Sequence, residues 1–160
     1  ARAMGADKLI GVEMNDYRIN LAKKLGLADL IIKPGEGALE EILEATGGHG
    51  AERAIDASAN DQARQLAVRG TRDWGRIAFV GEGGTSTLNP SPDMIHGQKT
   101  IYGSWVTSIW KMEELTEHLV RWNIHPEKLI THEFPLEKAG EAYALMAGGN
   151  CGNVAVTFEK

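Results

Sequence analysis

The sequence is poor in cysteine, in long apolar runs and in net positive charge, and each shortage excludes a class of protein. Its 160 residues include a single cysteine, Cys151, so no internal disulfide can form, as is typical of a reducing cytoplasm. The longest apolar stretches, such as 30–32 and 77–81, are far shorter than the roughly 20 residues that span a bilayer. A formal net charge of −5 leaves little with which to neutralise nucleic-acid phosphates. We therefore expect a cytoplasmic protein that binds neither a membrane nor nucleic acid.

Short apolar, often β-branched runs alternate with longer amphipathic segments along the first half of the chain. The pattern predicts strands at 8–12, 30–32, 53–57 and 76–80, with helices at 16–25, 37–46 and 61–68. Strands that are apolar throughout, separated by helices of about 10–15 residues, are typical of parallel βαβ units buried on both faces. The sequence thus predicts an α/β fold with a doubly wound, Rossmann-like parallel sheet.

The regular alternation of predicted strands and helices stops after residue 81. Residues 82–92 are rich in Gly, Ser, Thr and Pro, which predicts a long connection, with a short strand at 85–88. The elements predicted beyond it are a strand at 99–106, a helix at 111–122, a strand at 129–134, a helix at 137–146 and a final strand at 154–158. We divide the chain into a partial dinucleotide-binding domain, residues 1–127, and a C-terminal segment, residues 128–160.

An acidic residue follows the first predicted strand directly. Glu13 stands immediately after the apolar run Ile10–Val12, and Asn15 can cap the helix that comes next. In dinucleotide folds an acid at the end of the second strand hydrogen-bonds the adenosine ribose. A carboxylate accepts from both ribose hydroxyls and repels a 2′-phosphate, so Glu13 favours NAD(H) over NADP(H).

Several segments match a known family in order and spacing. They are LIGVE at 9–13, IDAS at 55–58, GRIAFVG at 75–81, IYGSW at 101–105 and LITHEFPLE at 129–137. On these segments the sequence resembles the zinc-type medium-chain alcohol dehydrogenases over essentially its whole length. The resemblance implies NAD-dependent oxidation of an alcohol or polyol to the carbonyl, in which a zinc ion polarises the alcohol oxygen. The family's first strand and its Gly-x-Gly-x-x-Gly phosphate loop should precede Ala1, so we expect this chain to lack both and to be inactive alone.

The resemblance assigns residues to the adenosine half of the cofactor. Glu13, with Met14 beside it, is expected to bind the adenosine ribose, and Arg18 to lie over the adenine. Ser58 and Ala59, at the end of their strand, are expected to border the adenine pocket.

The nicotinamide half is held by main-chain groups in the family. The matching residues here are Val80, Gly81, Ser104 and Val106. Near the C-terminus the family commonly carries a Lys or Arg that touches the pyrophosphate, whereas this sequence has the uncharged Asn153. Binding of the pyrophosphate is therefore expected to be weak.

The zinc ligands of the family belong to its N-terminal catalytic domain. A catalytic zinc needs three protein ligands around an open position, but one cysteine and five histidines are scattered here without paired spacing. We expect neither a metal ligand nor a catalytic residue in this chain. We expect it to bind an alcohol substrate only together with the catalytic domain.

The resemblance also concerns the C-terminal segment and the oligomeric state. In the family, segments like 128–160 return toward the catalytic domain, and edge strands near 99–106 join two subunits into a homodimer.

Two other functions fit parts of the same pattern. One is a non-catalytic Rossmann-like module that binds a nucleotide or serves dimerisation. The other is a relative of the zinc-free quinone reductases, although those enzymes usually use NADPH and would rarely carry an acid at Glu13.

Overall fold

The computed structural model describes residues 1–158, in which strands and helices alternate. The strands are β1 Ile10–Val12, β2 Leu30–Ile32, β3 Ala51–Asp56, β4 Thr71–Phe79, β5 Thr100–Gly103, β6 Ile130–Pro135 and β7 Asn153–Thr157. The α-helices are α1 Asp16–Leu25, α2 Ala38–Ala45, α3 Asp61–Arg69, α4 Ile109–Arg121 and α5 Ala139–Gly148. Short helical turns lie at Arg2–Met4, Ser91–Ile95, Pro126–Leu129 and Leu136–Lys138.

Within residues 1–158 every strand pairing is parallel. The strands form three hydrogen-bonded groups, β1–β2, β3–β4–β5 and β6–β7. The chain divides into two compact units: one combines Ala1–Lys33 with the chain from Ile109 onward, and the other is Pro34–Ser108. The predicted boundary between residues 127 and 128 stays a prediction, and residues 159–160 at the end of that segment lie outside the described part.

Helix α1 begins and ends where its sequence predicts. The Asn15 side chain accepts a hydrogen bond from the Arg18 amide at 3.1 Å, which is the N-cap that satisfies an orphan donor of the first turn. Gly26 ends the helix at φ +62°, a left-handed conformation that glycine adopts without strain. Ile19 on α1 and Ile32 on β2 are both buried in this unit.

The second unit has a small apolar core below its three-stranded sheet. Ile42 of α2, Val68 of α3 and Ile77 of β4 are 7%, 0% and 0% exposed. Helix α3 packs on β3 and β4 and covers one face of the sheet. The prediction that these strands are buried on both faces is wrong for β3, because Ile55 points away from Ala54 and Asp56 and is 72% exposed.

The predicted short strand at 85–88 is wrong. These residues adopt no regular structure, because polar side chains of α3 take the backbone groups that a strand partner would need. The Arg64 guanidinium donates to the Thr85 carbonyl at 2.9 Å, and the Thr87 amide donates to the Asp61 carboxylate at 2.5 Å. The connection after β4 is thus held to a helix rather than to a sheet.

The strand predicted at 99–106 is shorter than expected. Strand β5 covers Thr100–Gly103 and pairs with β4 alone in the described chain, so it lies at the edge of its sheet. Val106 has φ +48°, which is incompatible with an extended strand. Residues 104–108 therefore leave the sheet as a loop at the strand's carboxyl end. The final strand ends at Thr157, so Phe158 lies beyond it.

Candidate functional site

The carboxyl ends of β3, β4 and β5 lie level with one another. Asp56 pairs with Phe79, and Phe79 pairs with Gly103, so the last residue of each strand stands in one row. Ligands of parallel α/β sheets bind at this edge, outside the carboxyl ends of the strands. The six site residues predicted in this unit all come directly after one of the three strands: Ser58, Ala59, Val80, Gly81, Ser104 and Val106.

Backbone hydrogen bonds continue the sheet past the strand ends. The amides of Val80 and Gly81 both donate to the Asp56 carbonyl, at 2.8 and 3.1 Å, and the Ser104 amide donates to the Phe79 carbonyl at 3.0 Å. These three amides already donate to protein carbonyls, so they are not free to donate to a ligand. The carbonyl oxygens of Val80 and Ser104 remain able to accept hydrogen bonds from a ligand, whereas that of Gly81 accepts from Arg64.

Val106 offers the opposite kind of group. Its side chain is 72% exposed, and within residues 1–158 no hydrogen bond joins its amide to a protein acceptor. Its left-handed φ of +48° is uncommon for a β-branched residue. Backbone strain of this kind clusters at ligand-binding sites, and here it accompanies an N–H donor without a protein acceptor among the described residues.

The Asp56 carboxylate organises the turn after β3. It accepts from the Ser58 amide at 3.1 Å, the Ser58 hydroxyl at 2.5 Å, the Ala59 amide at 3.3 Å and the Arg64 guanidinium at 3.3 Å. Burial alone would raise the pKa of Asp56, which is 5% exposed, but these hydrogen bonds outweigh it and hold the pKa below its usual range. The carboxylate is thus ionised and fully engaged as a structural anchor.

Two glycines let the turns after β3 and β4 touch. A Cβ on Gly81 would lie 2.5 Å from the Ala59 nitrogen, and a Cβ on Gly84 would overlap the Ala59 carbonyl oxygen. Gly84 also has φ +64°, and Ala59 has φ +60°. Any larger side chain at Gly81 or Gly84 would push the two turns apart, so Ser58, Ala59, Val80 and Gly81 form one continuous surface.

The other predicted site residues lie in the first unit, after β1. Glu13 accepts the amides of both Met14 and Asn15 on one carboxylate oxygen, Oε1, at 2.9 Å each. This leaves the second oxygen, Oε2, for an outside donor. Met14 is 75% exposed, and the Arg18 guanidinium donates from Nε to the Cys151 carbonyl at 3.4 Å. The three residues thus lie together at the end of β1, beside the turn at 149–151.

Sequence reasoning missed Arg64. An arginine within a short polar helix is usually solvent-exposed, and nothing in the local pattern marks this one as buried. Its burial follows from the fold, which brings the first turn of α3 to the carboxyl end of β3, where Asp56 lies. The structure shows it 8% exposed.

A metal site is not found among residues 1–158. No three His, Cys, Asp or Glu side chains are grouped closely enough to hold an ion, and Cys151 is fully buried with its thiol 3.8 Å from the Leu145 carbonyl. His118 instead stacks on Trp122, with ring centroids 4.5 Å apart. The described residues therefore do not fit a zinc ion. No helix among them is long and apolar enough to span a membrane.

Known proteins resemble this chain in sequence and in fold. Residues 1–122 match the zinc-binding dehydrogenase family. A zinc-type alcohol dehydrogenase-like protein of Escherichia coli K12, itself uncharacterized, is 45% identical over 159 residues, which is 99% of this chain and 45% of that protein. An alcohol dehydrogenase from Thermotoga maritima superposes with a TM-score of 0.86 at 25% identity, over 99% of this chain and 45% of the other.

A third comparison concerns a structure with bound cofactor. An alcohol dehydrogenase from Escherichia coli CFT073, solved as a complex with NADH, superposes with a TM-score of 0.81 at 26% identity, over 96% of this chain and 45% of that one. The chain thus spans slightly less than half the length of the proteins it matches.

The fold and its edge define a Rossmann-like α/β chain, as the sequence predicts. With the family match over residues 1–122, the chain belongs to the zinc-binding dehydrogenase family.

The contact between the two turns predicts different costs for two neighbouring glycines. Gly83 and Gly84 both have positive φ, but a Cβ on Gly83 meets nothing within 4 Å. We expect Gly83→Ala to lower the free energy of unfolding by about 1 kcal/mol, the cost of the left-handed backbone alone. Gly84→Ala should cost about 1–3 kcal/mol more, because it also forces the turns apart. Urea unfolding measures both, and equal costs would contradict the packing described here.

Proposed function

We propose that this chain is the cofactor-binding part of an NAD-dependent alcohol or polyol dehydrogenase. The observation that carries the proposal is the row of main-chain groups at the carboxyl edge of β3, β4 and β5. Membership of a dehydrogenase family and the likeness to a structure that contains NADH support the choice of ligand. When bound, NAD supplies the hydride acceptor, and the residues of this chain hold and orient it.

The nicotinamide carboxamide matches the groups at this edge in hydrogen-bonding character. Its NH2 group donates two hydrogen bonds and its oxygen accepts. The carbonyl oxygens of Val80 and Ser104 can accept from the NH2 group, and the Val106 amide can donate to the oxygen. Main-chain groups are rigid and already oriented, so binding costs little ordering of side chains.

The adenosine end of the cofactor is proposed to bind at Glu13. Two backbone amides fix the carboxylate through Oε1, so Oε2 is oriented before a ribose hydroxyl arrives. The negative charge opposes a 2′-phosphate, which favours NAD(H) over NADP(H). Met14 and Arg18 are proposed to border the adenosine there, and Ser58 and Ala59 to border the adenine.

A dehydrogenase also needs a group that polarises the alcohol oxygen. In zinc-dependent enzymes the metal supplies this Lewis acidity, and the described residues of this chain hold no ligand set for it. We therefore propose that the chain orients the cofactor and that it is inactive by itself.

We further propose that the protein is cytoplasmic, in keeping with its single, buried cysteine.

Cofactor selectivity tests the proposal. Calorimetric titration of the purified chain should show binding of NADH and at least tenfold weaker binding of NADPH. Glu13→Gln should weaken NADH binding about 10- to 100-fold, because a hydrogen bond to a charged group contributes about 1.5–3 kcal/mol. Glu40→Ala, on the exposed face of α2, is the control and should bind as the unmodified chain does.

Two outcomes would count against this function. Equal affinity for NADH and NADPH would remove the assigned role of Glu13. Failure of the unmodified chain to bind either cofactor would contradict cofactor binding by this chain alone and would leave it a structural or partner-dependent role.

Self-association is a separate proposal. Strand β5 lies at the edge of its sheet in the described chain, and an exposed edge can pair with the same strand of a second copy. We expect sedimentation velocity to show a dimer of two 17.4 kDa chains. A monomer at all concentrations tested would contradict pairing through β5.

A further inference from the structure

One buried arginine connects the end of β3 with the connection after β4, which carries Val80 of the proposed nicotinamide site. Arg64 lies in the first turns of α3 and is 8% exposed. Arginine cannot be neutralised in proteins, so a buried guanidinium must be matched by acceptors on all its sides. The acceptors therefore show what this side chain does.

The three nitrogen atoms of Arg64 donate to three acceptors in two segments of the chain. Nε donates to the Asp56 carboxylate at the end of β3, at 3.3 Å. Nη2 donates to the Gly81 carbonyl just after β4, at 2.7 Å, and Nη1 donates to the Thr85 carbonyl further along the same connection, at 2.9 Å. The guanidinium carbon also lies 5.2 Å from the centre of the Phe79 ring, a distance at which cation–π attraction operates.

The segment that Arg64 fixes has no strand partner of its own. Residues 81–88 form no regular structure. The Gly81 amide bonds to the Asp56 carbonyl of β3, and Arg64 and Asp61 of α3 bond to Gly81, Thr85 and Thr87. Without the guanidinium the carbonyls of Gly81 and Thr85 lose a charged donor. The residue before Gly81 is Val80, whose carbonyl is proposed to accept from the carboxamide.

We propose that Arg64 is a positioning residue for the nicotinamide ring: it fixes the turn at residues 80–85 so that the Val80 carbonyl faces the carboxamide. This inference rests on the proposed function, since it assigns a role within the same site. Arg64 acts through Gly81 and Thr85 and does not itself touch the cofactor. The planar guanidinium group of an arginine can donate hydrogen bonds in three fixed directions, which a lysine ammonium group cannot do.

The contribution of the nicotinamide can be measured by comparing two ligands. ADP-ribose shares the adenosine, the pyrophosphate and the second ribose of NADH and lacks only the nicotinamide. The ratio of the two affinities therefore reports contacts to that ring. We expect the unmodified chain to bind NADH more tightly than ADP-ribose, and Arg64→Met to reduce this preference about tenfold, with ADP-ribose affinity changed much less.

A neighbouring arginine is the matched control. Arg69 lies on the same helix and pairs with the buried Asp93 at 3.0 Å, holding a part of the β4–β5 connection remote from residues 80–85. Arg69→Met also takes an arginine from a buried carboxylate, although the Arg69 side chain is 40% exposed and that of Arg64 only 9%. It should therefore lower the melting temperature, by less than Arg64→Met, and leave the ligand ratio unchanged. A purely stabilising Arg64 would behave in the same way.

If Arg64→Met does not fold, the conservative variant Arg64→Lys can be tested in its place. Arg64→Lys retains the charge and can reach only some of the three acceptors, so it should reduce the preference for NADH in part. The inference is overturned if folded Arg64 variants keep the full preference while the unmodified chain binds NADH. If the unmodified chain binds NADH no better than ADP-ribose, or not at all, the proposed nicotinamide site itself is wrong, and the inference falls with it.

Discussion

A buried ion pair, Arg64 with Asp56, ties together the turns at the carboxyl edge of the three-stranded sheet. Removing two charges from water costs several kcal/mol per ion unless their remaining hydrogen-bonding groups are satisfied. Here both partners are engaged on all sides: Asp56 by Ser58 and Ala59, and Arg64 by two backbone carbonyls. Loss of either partner would leave an uncompensated buried charge. The shape of the edge therefore depends on this pair.

Because the proposed site is built from main-chain groups, the fold must place backbone atoms accurately. Side-chain identity matters little at Val80, Ser104 and Val106, whereas the placement of their backbone atoms matters greatly. The protein fixes that placement with hydrogen bonds that continue the sheet, with glycines that allow turns to touch, and with left-handed backbone at Ala59 and Val106. This explains why few of the residues that shape the edge are reactive side chains.

The sequence predicts the regular elements of this chain well and its turns poorly. The ends of α1 follow from Asn15 and Gly26, because capping is a local interaction. The failure at 85–88 has a different cause: β-type residues there bond to α3, a contact that no local pattern records. The burial of Arg64 was missed for the same reason. The predicted site residues come from the family resemblance, and the structure adds the interactions that hold those of the second unit in a row.

The central claim is that backbone groups at the ends of β4 and β5 bind the nicotinamide. Amide NMR spectra of the 15N-labelled chain during titration with NADH test it most directly. The account predicts saturable shifts for the amides of Val106, Ser104 and Gly81, with the largest change at Val106, whose N–H would gain an acceptor. Saturable NADH binding that leaves these three amides unmoved would contradict it.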